Sequence, residues 1–165
     1  MWIYLLRHGI AEDPGIGQAD EDRSLTKQGR ERLDGCRAAW RRLVKTPDIV
    51  IASPLLRARQ TAEVFADAVG FDDELRIEPT VVPGAPTEQV VLQLESELLS
   101  RTDSVAIVGH EPHLGYLLGC LLTGHAHMSL PLKKGMLVAV ETDSTTSLSA
   151  GLRFALTQKA AGKLR

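Results

Sequence analysis

Three short apolar runs constrain this chain more than any other feature: Trp2–Leu6, Ile49–Ile51 and Val105–Val108 have no polar face, and helical periodicity separates them. A strand without a polar face is buried on both sides, and a sheet achieves this when helices cover both of its faces. The pattern therefore predicts an α/β fold, a three-layer α/β/α sandwich around a mostly parallel central sheet. In such sheets ligands bind beyond the carboxyl ends of the strands. The polar residues that immediately follow each apolar run are thus the ones to weigh for function.

The remaining elements follow from spacing and breakers. From Thr26 the positions Leu33, Cys36, Trp40, Leu43 and Val44 predict one helix, broken by Pro47 and Asp48. Ala58, Ala62, Phe65, Ala66 and Val69 mark a second helix stopped at Gly70. Leu75 to Ala85, with Pro79 and Pro83, is irregular around a short strand. Thr87 is placed to cap a third helix carrying Val90, Val91, Leu94 and Leu98, and Pro112 suits the first turn of a fourth, through Leu122. Met136–Val140 and Leu148–Leu156 alternate and flank a polar turn, which predicts a hairpin. The whole of 1–165 reads as one domain, with 159–165 a flexible tail.

Composition excludes several classes. A net charge of -2 argues against a nucleic-acid partner, which calls for a basic stripe. No apolar run approaches the roughly 20 residues of a membrane span, and the N-terminus lacks the regions of a signal peptide. Cys36 and Cys120 fall within apolar helical patterns, as small core residues of a reduced, cytoplasmic protein. Without a heptad or apolar stripe, a monomer is expected.

At the strand ends stand Arg7, His8 and Gly9, then Ser53, Pro54 and, one turn on, Arg57, then Gly109, His110 and Glu111. Two arginines and two histidines delivered to one rim repel each other unless an anion sits between them. A tetrahedral phosphate, with several oxygens to satisfy, is the natural guest. Gly9 and Gly109 are expected to permit close backbone approach.

These residues resemble the histidine phosphatase (phosphoglycerate-mutase-like) superfamily. The likeness rests on the Arg7-His8-Gly9 turn, the Ser-Pro-x-x-Arg-x-x-x-Thr-Ala segment from Ser53 to Ala62, Gly109-His110, and the Leu25-Thr26-x-x-Gly29 helix start. Together with the short chain they are similar to the small bacterial branch of SixA-type phosphohistidine phosphatases. The resemblance implies a phosphoglycerate-mutase-like fold and a phosphatase without metal or cofactor. It implies that His8 is the nucleophile and that Arg7 and Arg57 clamp the phosphate; the other His8 ring nitrogen needs an acceptor to fix its tautomer, and the carbonyl of Gly9 or a nearby residue is expected to supply it. It further implies that His110 donates to a phosphoryl oxygen as an imidazolium.

Arg59 competes with Arg57 for the clamp, and the motif spacing favours Arg57. Larger members of the superfamily add a carboxylic acid in the segment that reads Glu78 to Gly84 here, where no carboxylate falls at the expected place; Glu78, Glu12 and Glu111 are the substitutes. A phosphohistidine needs such an acid less than an alkyl phosphate does, because its imidazole leaves neutral once the distal nitrogen is protonated. This tilts the expected substrate toward phosphohistidine on a protein, such as a histidine-containing phosphotransfer domain. The alternatives are a phosphomonoesterase for a small metabolite (sugar, nucleotide or prenyl phosphate) and an inactive phosphate-binding interaction module.

Arg23 stands either at the pocket rim against substrate or in a salt bridge within its loop. His113 is near the rim without a motif role. His125 and His127 lack a third metal ligand nearby in sequence. Asp20, Glu21 and Asp22 read as a solvated loop.

Overall fold

The computed structural model describes residues 1–143 and 148–164. The three apolar runs become β1 (Trp2–Arg7), β2 (Ile49–Ala52) and β4 (Ser104–Gly109). A two-residue strand, β3 (Arg76–Ile77), lies in the irregular segment, and β5 (Leu137–Glu141) and β6 (Gly151–Leu156) form the expected antiparallel hairpin. Its turn at 144–147 lies outside the described residues. The sheet order is β3-β2-β4-β1-β5-β6, with the first four strands parallel and β5 antiparallel to β1.

Alternate residues of each strand feed two cores. Tyr4, Leu6, Val50, Ala106 and Val108 pack against Leu33, Trp40 and Phe65. These come from α1 (Lys27–Asp34), α2 (Arg37–Leu43) and α3 (Leu56–Val69). Ile3, Leu5, Ile51, Val105 and Ile107 pack instead against Val90, Leu94, Leu114 and Leu117. Those belong to α4 (Thr87–Leu99) and α5 (His113–Thr123). The result is the three-layer sandwich that doubly buried strands require.

Four local expectations are corrected. The first helix is divided into α1 and α2 at Gly35-Cys36, where the Cys36 N–H bonds the Leu33 carbonyl and tightens the turn. Leu33, Cys36, Trp40 and Val44 stay buried on the same core across the break, whereas Leu43 is exposed. Pro86 rather than Thr87 occupies the N-cap of α4, and no side chain caps that end. Pro112, after a cis peptide bond, sits at the N-cap of α5 rather than inside its first turn. Finally, the expected tail begins as a short helix, α6 (Gln158–Ala161), because Thr157 caps it and Ala161 is buried in the core. Among the described residues no helix is long and apolar enough to cross a membrane.

Candidate active site

Parallel register builds the centre. Arg7 lies opposite Gly109 on adjacent strands, so the residues that follow, His8 and His110, leave the sheet side by side. The His8 N–H bonds the Gly109 carbonyl at 3.0 Å, and the two imidazole rings lie 5.0 Å apart. β2 flanks β4 on its other side, and the Ser53 N–H bonds the Val108 carbonyl. Ser53 thereby reaches His110, its hydroxyl 2.8 Å from Nε2. Arg57 enters from the first turn of α3, its side chain only 5% exposed.

His8 is held in one tautomer. Its Nδ1 is 2.7 Å from the Gly9 carbonyl. A carbonyl can only accept, so Nδ1 carries the proton and Nε2 is left with its lone pair. Burial pushes the His8 pKa down to about 4 against the opposing pull of the Gly9 hydrogen bond, and Arg57, Arg7 and Lys134 push the same way as burial. At neutral pH the ring is an uncharged base beside two guanidinium groups. The Gly9 N–H donates to the Thr61 hydroxyl at 3.1 Å, which in turn donates to the Arg57 carbonyl at 2.7 Å. One threonine therefore joins the Arg7-His8-Gly9 turn to the helix that carries Arg57.

The two glycines differ from expectation. A Cβ on Gly9 would stand 2.9 Å from Leu33 and 3.2 Å from Leu25, and one on Gly109 would stand 3.3 Å from the Val81 carbonyl. Their missing side chains make room for the protein's own core. The Gly9 backbone groups are both engaged within the protein, which corrects the expectation that Gly9 lies against a ligand.

Arg7 donates through Nη1 to the Leu132 carbonyl at 2.7 Å, and Glu111 fixes that segment by accepting from the Leu132 N–H at 3.0 Å. Burial lowers the Arg7 pKa, and the Glu111 carboxylate counters it. Glu111 thus braces the segment whose carbonyl holds Arg7. Arg57 donates from Nη1 to the Asp20 carbonyl and from Nη2 to the Asp20 carboxylate, at 2.6 and 2.9 Å. Arg23 reaches the other oxygen of that carboxylate at 2.7 Å, and its Nε bonds the Glu12 carbonyl. Of the two readings of Arg23, the structure shows the salt bridge within its loop, on the carboxylate that also holds Arg57. Arg59 is exposed and lines a separate cleft with Glu21 and Asp22, so Arg57 alone of the pair enters the centre.

His110 departs from the imidazolium reading. Burial, reinforced by His8 and Arg57, lowers its pKa to about 3, so it is neutral in the unliganded site. A bound phosphate dianion would oppose this, since a nearby negative charge favours the protonated ring. Glu12 is exposed, and its carbonyl rather than its carboxylate is engaged. Glu78 is half-buried just past β3, its N–H on the Ala52 carbonyl. His113 is buried beside a cleft of about 370 Å³ lined also by Pro86, Tyr116 and His127. His125 and His127 lie exposed, and among the described residues no three His, Cys, Asp or Glu side chains are grouped to hold a metal.

Sequence reasoning missed Asp20 as the arginine partner, Thr61 and Ser53 as supports, and Lys134 as a charge acting on His8. Ser53 and Thr61 were visible within a recognisable segment, and only their partners were not.

Residues 3–81 match the profile of the histidine phosphatase superfamily (branch 1). An uncharacterised protein of Picosynechococcus sp. is 34% identical over 146 residues, 86% of each chain. The phosphohistidine phosphatase SixA of Escherichia coli is 29% identical over 126 residues, 75% of this chain and 76% of that one. A solved structure of the protein histidine phosphatase SixA complexed with tungstate superposes with a TM-score of 0.83 over 96% of this chain and 98% of that chain, at 24% identity. The strand-end cluster, the sheet order and these likenesses lead to one assignment: the chain belongs to the histidine phosphatase superfamily, resembles its SixA-type branch, and is a phosphatase.

Proposed function

We propose that this phosphatase removes the phosphoryl group from phosphohistidine on a protein, through a covalent phosphohistidine formed on His8 and without a metal ion. The observation that carries the reading is the neutral His8 ring, its Nδ1 proton on the Gly9 carbonyl, set beside Arg57, Arg7 and His110. In the first step the Nε2 lone pair attacks phosphorus while the bond to the substrate imidazole breaks. The electron pair departs with that imidazole, which leaves neutral when its distal nitrogen is protonated. Water then attacks phosphorus, the bond to His8 breaks, and the water proton passes to phosphate. Two displacements replace one harder step. Arg7, Arg57 and His110, which takes up a proton from solvent in the field of the bound dianion, stabilise the charge on the equatorial oxygens.

Of the candidate acids, Glu111 accepts from the Leu132 N–H through its carboxylate, and Glu12 is exposed. That favours a phosphoramidate over an alkyl phosphate. A phosphorylated protein is the proposed partner, the enzyme acting as a cytoplasmic monomer. The test is phosphate release from a phosphorylated histidine-containing phosphotransfer domain and from p-nitrophenyl phosphate, in EDTA, by wild type and His8→Ala. Wild type is expected to act on both, and to yield an acid-labile phosphoenzyme that His8→Ala lacks. Equal, slow release by both proteins would leave only a phosphate-binding module. Hydrolysis of the aryl ester but not of phosphohistidine would point to a small-molecule substrate.

A further inference from the structure

We propose that Asp20 is the positioning residue of the phosphate clamp, its one carboxylate tying Arg57 to Arg23 and setting the Arg57 guanidinium for the phosphoryl group. The proposal rests on the phosphatase reading of the site. Asp20 lies 37 residues from Arg57, in a short 3₁₀ turn (Asp20–Asp22) of the loop between β1 and α1. It offers three acceptors and uses all of them. Its carbonyl takes Arg57 Nη1 at 2.6 Å, Oδ2 takes Arg57 Nη2 at 2.9 Å, and Oδ1 takes Arg23 Nη1 at 2.7 Å. Arg23 is itself anchored by Nε on the Glu12 carbonyl at 2.7 Å.

The exposures decide what this contact is for. The Arg57 side chain is 5% exposed and that of Asp20 is 58% exposed. A guanidinium so far out of water needs a counter-charge and a fixed geometry, whereas an aspartate so exposed gains little for itself from the pair. A guanidinium carries five N–H donors, and Asp20 takes two, so donors remain for phosphoryl oxygens while Asp20 stays in place. Thr61 holds the backbone end of the same residue by donating to its carbonyl. Arg57 is thus fixed at both ends, by α3 below and by the β1–α1 loop above.

A second role is physically possible and has the opposite sign. A carboxylate on a phosphate-binding arginine can act as an internal competitor that phosphate must displace. Removing a competitor tightens phosphate binding, and removing a positioning residue loosens it. The experiment measures kcat and KM on p-nitrophenyl phosphate, and the inhibition constant of inorganic phosphate, for Asp20→Ala, Asp20→Asn, Arg23→Ala and the Asp20→Ala/Arg23→Ala double variant. Thermal unfolding in phosphate-free buffer identifies the folded proteins.

Loss of hydrogen bonds between charged groups predicts a fall of about ten- to a hundredfold in kcat/KM for Asp20→Ala, with weaker phosphate inhibition. Asp20→Asn keeps one side-chain acceptor oxygen and the carbonyl contact but turns the other oxygen into an N–H donor, and is expected to recover part of that loss. Arg23→Ala should act in the same direction, and the double variant should be no worse than Asp20→Ala, because both act through one guanidinium. Unchanged or tighter phosphate inhibition in folded Asp20→Ala, or full additivity in the double variant, overturns the proposal. Such a result with activity still lost in His8→Ala defeats the role of Asp20 alone; activity that survives His8→Ala defeats the reading of the site.

Discussion

In the proposed mechanism His8 attacks as an uncharged ring beside two guanidinium groups. Burial and the flanking Arg57 and Arg7 depress its pKa to about 4, and burial with His8 itself brings His110 to about 3, from an ordinary 6.5. NMR titration of the ring protons should therefore show midpoints far below 6.5 for both, and a midpoint near 6.5 for His8 contradicts the account. The same depression sets a stability profile. An unfolded chain takes up protons on these rings as pH falls below about 6.5, while the folded chain does not until about 4 or 3. Folding stability from these groups is thus complete above that window and drains away as pH falls through it, which urea unfolding at pH 7, 5.5 and 4.5 should record. Ser53→Ala, which strips His110 Nε2 of its partner, should lower kcat by about tenfold while His8 titrates unchanged.

Between the residues and the sheet stands a small set of braces. Thr61 accepts from the Gly9 N–H and donates to the Arg57 carbonyl, so Thr61→Val leaves a buried N–H without a partner. A cost of about 1–3 kcal/mol is expected, read as a lower urea midpoint at unchanged m-value. Gly29 braces the other side of the turn. Its N–H bonds the Thr26 hydroxyl that caps α1, and a Cβ there would stand 2.1 Å from the Ile10 carbonyl oxygen. That contact is with backbone and cannot rotate away, so Gly29→Ala should displace residues 9–11 from α1. A loss of about 3 kcal/mol is expected, with a larger fall in kcat/KM than Gly35→Ala, whose nearest neighbour lies at 3.4 Å. The residue pattern Leu25-Thr26-x-x-Gly29 is therefore a contact between helix and the His8 turn, and only secondarily a helix start.

The molecule as a whole is a sheet that gathers distant residues at one rim. β1 and β4 are neighbours although about a hundred residues separate them, and β2 pairs on the far side of β4. Every group of the proposed cage thus sits on or just beyond a parallel strand whose position depends on the complete fold. A ligand that bridges the cage should stabilise the whole chain. At phosphate or tungstate concentrations a hundredfold above the dissociation constant, the gain is about 2.7 kcal/mol, visible as a raised Tm. Arg57→Ala should abolish most of that rise, and Arg59→Ala, on its separate exposed cleft, should leave it intact.

The chain's own residues determined the layered architecture and the chemistry of the centre. Doubly apolar strands demand helices on both faces, and the residues that end them, Arg7, His8 and His110 with Arg57 one turn on, are legible by position. The sequence could not tell a carboxylate that catalyses from one that braces, because that depends on partners brought together by folding. Glu111 reads as a candidate acid and is bound to Leu132; Asp20 reads as solvated charge and holds Arg57. The charge state of His110 was equally out of reach, since it follows from burial beside His8 and Arg57. Residue type and order set which groups reach the rim, whereas desolvation and hydrogen-bond partnership, both tertiary quantities, decide what each can do there.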